Sequence, residues 1–239
     1  MSLLAPELKV DPFQGRQGYK PAEKEDAIEI QLDEAVNRIL KKYENILELE
    51  TPISDLEFDV LTPAQIAQFC LATKIRQHPD RLSRFLNRLI VESYLAGNNH
   101  FIIISKDNME YFGHNLEGSI TDPLYITVNG NLDNSSFVNA KYCQIILYGN
   151  PKGWFGEASQ YCKYKIEGNV TGGLGFKSKH STYLIKGEVI ARNLGAFSEN
   201  CVYQTTNPLT YRRMIELVHK PNTVQLIDRI EHVIEAIIK

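Results

Sequence analysis

The stretch CQIILYGN at residues 143–150 returns nineteen residues later as CKYKIEGN at residues 162–169. Its glycine belongs to a longer series with the same spacing, which comprises Gly130, Gly149, Gly168 and Gly187. A fixed period near 20 residues is typical of a solenoid, in which each repeat buries its apolar face only by stacking on its neighbours. The sequence therefore predicts a fold built by repetition of one short coil.

Three columns of residues precede the glycines at two-residue steps. They contain Val128, Leu147, Ile166 and Ile185; Ile126, Ile145, Tyr164 and Tyr183; and Leu124, Cys143, Cys162 and Ser181. Because side chains alternate along a strand, all three columns fall on one face. A further copy from Cys201 to Asn207 fits after a one-residue insertion, and we predict an earlier rung with His100, Ile102 and Ile104 on the inner face.

A nineteen-residue coil is too short for a helix, a strand and two loops, but it accommodates two or three short strands. The sequence lacks the six-residue period of left-handed solenoids. We therefore predict a mainly β solenoid with flanking α-helices, namely a single-stranded right-handed β-helix of about five to six coils. We predict that its stacked cysteines are core residues, because buried free cysteine behaves as a small hydrophobic residue. A disulfide between rungs is conceivable, but a reducing compartment disfavours it.

The regions on either side of the repeat have helical periodicity. Predicted helices begin at Leu32, at a capping box formed by Thr62 and Gln65, and near Pro79. Beyond the repeat we predict a helix over residues 211–219 and a last helix after a cap at Asn222. The predicted organisation is an extended or mobile arm at 1–30, helices at 31–99, the β-helix at 100–207 and helices at 208–239.

Composition limits the function classes. The 239 residues carry a net charge of −3, so we do not expect a nucleic-acid partner. No stretch reaches the roughly 18 apolar residues of a membrane helix, and the N-terminus has no apolar signal core, so we expect a cytoplasmic protein without a membrane partner. The four cysteines lack CxxC spacing and the six histidines lack HxxxH or HxH spacing, and we therefore predict no metal, cofactor or catalytic residue.

The repeat resembles a known family in the segments QIILYGNPKGWFGEAS, YKIEGNVTGGLGFKS and YLIKGEVIARNLGAFS. These are similar to the GXGXG-type β-helix, which occurs in the C-terminal domain of the glutamate synthase large polypeptide and in formylmethanofuran dehydrogenase. The resemblance covers residues 101–207 and implies a structural role that spaces catalytic parts, with the chemistry elsewhere. Tyr142–Cys143 and Tyr161–Cys162 stand where the family usually has paired glycines.

Two surface features are candidate binding sites. Lys74, Arg76, Arg81, Arg84 and Arg88 are opposed locally only by Asp80, and we predict that they bind an anionic partner or ligand, the alternative being a solvated face. Trp154 and Phe155 replace turn residues of the neighbouring coils, so we predict an exposed self-association site, the alternative being packing beneath the arm or a terminal helix.

The predicted function is a structural or protein-interaction scaffold that presents a stiff β-helix to a protein partner or to a second copy in a homo-oligomer. The alternative is a small-ligand-binding protein or enzyme with a pocket between the helices and the β-helix. The sequence does not decide whether the protein is an enzyme, although the missing catalytic motifs favour a non-catalytic role.

Overall fold

A computed structural model describes residues 32–49, 53, 56–73, 79–105, 108–191 and 193–227. Three helices precede the repeat: α1 (Glu34–Leu49), α2 (Pro63–Ala72) and α3 (Pro79–Leu95). The Thr62 hydroxyl accepts a hydrogen bond from the Gln65 amide while the Gln65 side chain accepts one from the Thr62 amide, so the predicted capping box is confirmed. The predicted arm at residues 1–30 lies outside the described residues.

The repeat folds into a parallel β-solenoid of about six turns. Its main sheet has seven parallel strands in chain order: β1 (His100–Ile104), β3 (Leu124–Asn129), β5 (Cys143–Tyr148), β7 (Lys163–Ile166), β9 (Thr182–Ile185), β10 (Val202–Thr205) and β11 (Thr223–Leu226). Two further parallel pairs join β2 (Met109–Glu110) with β4 (Leu132–Asp133) and β6 (Trp154–Phe155) with β8 (Gly173–Leu174). The right-handed sense of winding stays a prediction.

The nineteen-residue register is confirmed strand by strand. Val128 pairs with Leu147, Leu147 with Ile166, and Ile166 with Ile185, and all four side chains are buried. A second buried column ends in three stacked tyrosine rings, with Tyr164 and Tyr183 centroids 4.8 Å apart and Tyr183 and Tyr203 centroids 5.0 Å apart. The core is therefore a set of continuous columns along the stack, as the alternating pattern predicts.

The glycine and asparagine that end each strand have separate roles. The Asn131 side chain accepts a hydrogen bond from the Asn150 amide at 2.9 Å, and the Asn150 side chain accepts one from the Asn169 amide at 2.7 Å. A Cβ on Gly149 would lie 2.0 Å from the Gly130 carbonyl oxygen, so successive rungs approach too closely here for any side chain. The sequence GN thus encodes a tight corner whose backbone amides are bonded across rungs.

The predicted first rung is present, but the prediction of which of its side chains point into the solenoid is wrong. Phe101 and Ile103 are buried, whereas His100 and Ile102 are exposed on the outer face. The connection from β1 to β3 gives a register of 25 residues, since His100 pairs with Tyr125. The nineteen-residue period therefore does not extend to this strand, and a one-residue error in register exchanges the two faces.

The C-terminal region differs from the prediction. Helix α4 (Pro208–Leu217) is capped by the Asn207 side chain, which accepts hydrogen bonds from the amides of Leu209 and Thr210. Residues after Asn222 form strand β11 on β10, so the helix predicted to begin there is wrong over residues 223–226. Pairing with the free edge of β10 satisfies backbone groups and outweighs the helical apolar pattern. The remainder of that predicted helix, residues 228–239, lies outside the described residues.

Helices flank both ends of the stack. α2 packs against β1, α3 packs against β2, and α4 packs against β10 and β11. Asn87 of α3 accepts a hydrogen bond from the Gly113 amide of the first coil at 2.9 Å. This hydrogen bond joins the first coil directly to α3 and fixes the position of the helix beside the coil.

Candidate functional site

A concave site lies between α3 and the first coil of the solenoid and is called the notch. Its walls are Arg84, Asn87, Arg88 and Val91 from α3, and Tyr111, His114 and Asn115 from the coil, with Ile53 nearby. The α3 residues recur at three- and four-residue steps and therefore share one helix face. The cavity volume is about 750 Å³, which is ample for a small organic ligand.

Hydrogen bonds hold the two walls in place. Tyr111 and Asn115 both have left-handed backbone angles, with φ near 56°, and turn the chain at this coil. The Asn115 side-chain oxygen accepts a hydrogen bond from the side-chain NH₂ group of Asn139 at 3.1 Å. A ring nitrogen of His114 donates to the Ser135 carbonyl. Because the Asn87 oxygen also accepts from Gly113, both amide oxygens in the notch are already occupied.

The notch contains one arginine with a counter-ion among the described residues and one without. The Arg88 guanidinium pairs with Glu92 at 2.6 Å and lies 6.0 Å from the centre of the Phe58 ring. Arg84 is exposed and forms no ion pair with any residue that the structure describes. None of the described residues lining the notch is acidic. Arg84 is therefore the cation most available to an incoming anion.

The structure divides the predicted basic cluster. Arg84 and Arg88 come together in the notch, whereas Arg81 donates a hydrogen bond to the Ile46 carbonyl of α1 at 3.3 Å. Lys74 and Arg76 lie outside the described residues. The sequence did not identify Tyr111, His114 or Asn115, because nothing in a single sequence indicates that α3 packs on this coil.

A second surface, called the outer face, consists of the outward side chains of β1, β3 and β5. It comprises His100, Ile102, Tyr125, Thr127, Gln144 and Ile146. The His100 and Tyr125 rings stack at 4.3 Å, and a groove of about 350 Å³ runs from them to Lys163 and Lys165 of β7. Ile102 is 52% exposed. The outer face is therefore partly apolar, grooved and without carboxylates.

A ladder of stacked aromatic rings lies at the corner that precedes strands β5, β7 and β9. Tyr142 and Tyr161 stack at 5.2 Å, and Tyr161 and His180 stack at 4.9 Å. All three have positive φ between 49° and 54°, a conformation uncommon for residues other than glycine. The parallel rings extend the aromatic surface beside the outer face, where Tyr142, Tyr161 and Gln144 line a further cleft of about 430 Å³.

Trp154 and Phe155, the predicted aromatic pair, point to opposite sides of strand β6. Phe155 is buried inside the solenoid against Phe137 and Tyr164, so the prediction of an exposed pair is wrong for this residue. Trp154 is 38% exposed and packs on Phe176 of the next rung with ring centres 5.1 Å apart. Successive strand residues face opposite sides, and only Trp154 is presented to solvent.

The interior columns contain polar groups in an apolar setting. Burial raises the pKa of Tyr183 well above its usual range, and its hydroxyl donates to the Gly156 carbonyl at 3.2 Å. A hydrogen bond in which the Cys143 thiol donates to Cys162, followed by burial, raises the pKa of the Cys143 thiol. Burial raises the pKa of Cys70 to about 12. These groups are therefore protonated at neutral pH and are poor nucleophiles.

One ionic cluster lies on the main sheet at β7 and β9. Glu167 accepts from Lys165 at 2.8 Å and from Lys186 at 2.9 Å. Burial opposes ionisation of Glu167, but the hydrogen bonds from both lysines prevail and lower the pKa of its carboxyl. The described residues contain no cluster of three or more histidine, cysteine, aspartate or glutamate side chains suited to a metal ion.

None of the helices in the described ranges has the length and apolar character needed to cross a membrane. No family model, curated protein or solved structure matches this chain.

Proposed function

We propose that this protein is a structural scaffold that self-associates through the outer face of its solenoid. The observation that carries the proposal is the uncharged outer face, with exposed Ile102 and the stacked His100–Tyr125 pair beside a groove. Interface centres are depleted in charged residues and enriched in aromatic ones, as this surface is.

A second copy is the partner that this surface fits best. The outward residues of β1, β3 and β5 include no lysine, arginine, aspartate or glutamate, so a strongly charged partner would gain no ion pairs there. Two such faces related by a two-fold axis bring apolar and uncharged polar groups together without like-charge repulsion. Lys163 at the end of the groove then lies in the hydrated rim.

The test compares Ile102→Glu with Ile190→Glu by light scattering coupled to size-exclusion chromatography. Both isoleucines are about half exposed, at 52% and 54%, but Ile190 lies away from the outer face. A carboxylate at position 102 would be desolvated when two outer faces meet, so we expect wild type and Ile190→Glu to be dimers and Ile102→Glu to be a monomer. A monomeric wild type at high concentration would contradict the proposal.

The resemblance to the GXGXG-type β-helix supports a scaffold role within this proposal. That family usually has glycine directly before each strand, where this chain has Tyr142, Tyr161 and His180 with positive φ. Glycine adopts such a conformation most readily, so the backbone of this chain at these positions would also suit glycine. We include a cytoplasmic location in the proposal because all four cysteines are buried free thiols.

Binding of a small ligand between the helices and the solenoid is a second candidate function. The notch favours it, because a cavity of about 750 Å³ between two packed parts is a common location for ligand sites. The raised pKa values of the buried Cys70 and Cys143 thiols and of Tyr183 make these groups poor nucleophiles, which supports binding rather than catalysis. A thermal-shift screen of metabolites would detect it, and the absence of any shift would count against it.

A further inference from the structure

We infer that the notch binds a small molecule through its phosphate group. This inference rests on the second candidate function, ligand binding, and is independent of self-association through the outer face. Its basis is a set of hydrogen-bond donors, from two different parts of the chain, that converge on one cavity. Arg88 already donates to Glu92 at 2.6 Å, whereas Arg84 has no ion-pair partner among the described residues.

The donors come from both walls. Arg84 and Arg88 contribute guanidinium groups, which have donors only. Asn87 is nine-tenths buried, and its oxygen accepts from the Gly113 amide, so the side chain presents its NH₂ group to other partners. The structure shows no hydrogen bond from that NH₂ group to another described residue. Because Asn87 lines the notch, its NH₂ group is available to a ligand that supplies an acceptor.

Asn115 repeats this arrangement on the opposite wall. Its side-chain oxygen accepts from Asn139 at 3.1 Å, which leaves the Asn115 NH₂ group as the part available to a ligand. Tyr111 also lines this wall, and a tyrosine hydroxyl can donate a hydrogen bond. The notch therefore offers donors from α3 and from the first coil, while both of its amide oxygens are occupied.

A phosphate group matches this chemistry better than a carboxylate. It presents three acceptor oxygens in a tetrahedral arrangement, whereas a carboxylate presents two in a plane, and the donors here lie on two facing walls. Arginine forks recognise phosphate oxygens in pairs, and Arg84 has no described carboxylate partner to displace. The cavity exceeds the size of a phosphate, and Val91 and the Tyr111 ring offer apolar contact to the organic part of the ligand.

The test is isothermal titration calorimetry of the full chain with inorganic pyrophosphate as the probe and citrate as the carboxylate control. We expect saturable binding of one pyrophosphate per chain and weaker binding of citrate. Arg84→Gln removes a charge-assisted hydrogen bond and should weaken pyrophosphate binding about tenfold or more. Because Arg84 is exposed and lacks a described ion pair, this variant should melt at the wild-type temperature.

Arg213→Gln is the matched control, since Arg213 is an exposed α4 arginine without an ion pair to a described residue. Its pyrophosphate affinity should equal that of wild type. The inference is overturned if pyrophosphate shows no saturable binding up to about 10 mM, or if the two arginine variants behave alike. Tighter binding of citrate than of pyrophosphate would also overturn it while leaving ligand binding in place. Self-association fails separately, through the Ile102→Glu comparison.

Discussion

Replacing Gly168 with alanine tests the close approach of successive rungs. The new Cβ would lie 2.2 Å from the Gly149 carbonyl oxygen and 2.6 Å from the Asn150 side-chain oxygen. Ordinary contact begins at 3.4 Å, so the corner must open by about 1 Å. The neighbouring hydrogen bond from the Asn169 amide to Asn150, now 2.7 Å long, would then exceed the range of a hydrogen bond.

The magnitude follows from these two effects. Forcing extra atoms into a packed site costs about 1–3 kcal/mol, and losing one hydrogen bond costs about 1 kcal/mol more. We therefore expect Gly168→Ala to lower the free energy of unfolding by about 2–4 kcal/mol, which corresponds to a decrease in melting temperature of about 5–15 °C. Urea denaturation followed by circular dichroism measures the first quantity, and calorimetry measures the second.

Gly97→Ala provides the control for this substitution. Gly97 ends α3 with φ at +96° and has no atom within 4 Å of an added Cβ, so alanine there meets backbone strain but no steric clash. We expect a cost of about 1 kcal/mol. If Gly168→Ala costs no more than Gly97→Ala, the rungs are not as closely stacked as described, and the argument from the glycine series is refuted.

Three further substitutions probe polar groups of the stack. Tyr183→Phe should destabilise the protein by about 1 kcal/mol in urea denaturation, because the Tyr183 hydroxyl donates to the Gly156 carbonyl. Tyr164→Phe should be neutral or stabilising, because the buried Tyr164 hydroxyl has no partner among the described residues. Equal losses of stability in the two variants would contradict this. Glu167 has a lowered pKa, so its stabilising contribution is present above its ordinary pKa of 4.5 and is lost as the pH falls through its folded-state pKa. The difference in melting temperature between wild type and Glu167→Gln should therefore be constant from pH 6 to 7 and narrow below about pH 4.5, and a difference that widens in acid would contradict the assignment.

The sequence predicts the solenoid well because its evidence is periodic. Val128, Leu147, Ile166 and Ile185 recur at one interval, and stacking is the only arrangement that buries such a series together. The prediction loses accuracy where the interval changes. The run FIII in β1 is apolar on both faces, so only the 25-residue register to β3, visible in the structure, identifies Phe101 and Ile103 as inward.

The ends of the stack and the candidate site depend on tertiary contacts. Residues 223–226 have an apolar pattern that continues as a helix in sequence, but the free edge of β10 recruits them as a strand. Arg84 and Arg88 are recognisable from charge and spacing alone. Their association with Tyr111 and Asn115 arises because α3 packs on the first coil, a contact between segments whose sequences carry no common signal.

Methyl-labelled nuclear magnetic resonance tests the stacking of the coils most directly. In-register parallel strands about 4.8 Å apart place matching methyl groups in contact. Cross-relaxation spectra should therefore connect Val128 to Leu147, Leu147 to Ile166, and Ile166 to Ile185 in an unbroken series. Spectra in which these methyl groups lack mutual cross-peaks, or connect at a different residue interval, would contradict the solenoid and the surfaces derived from it.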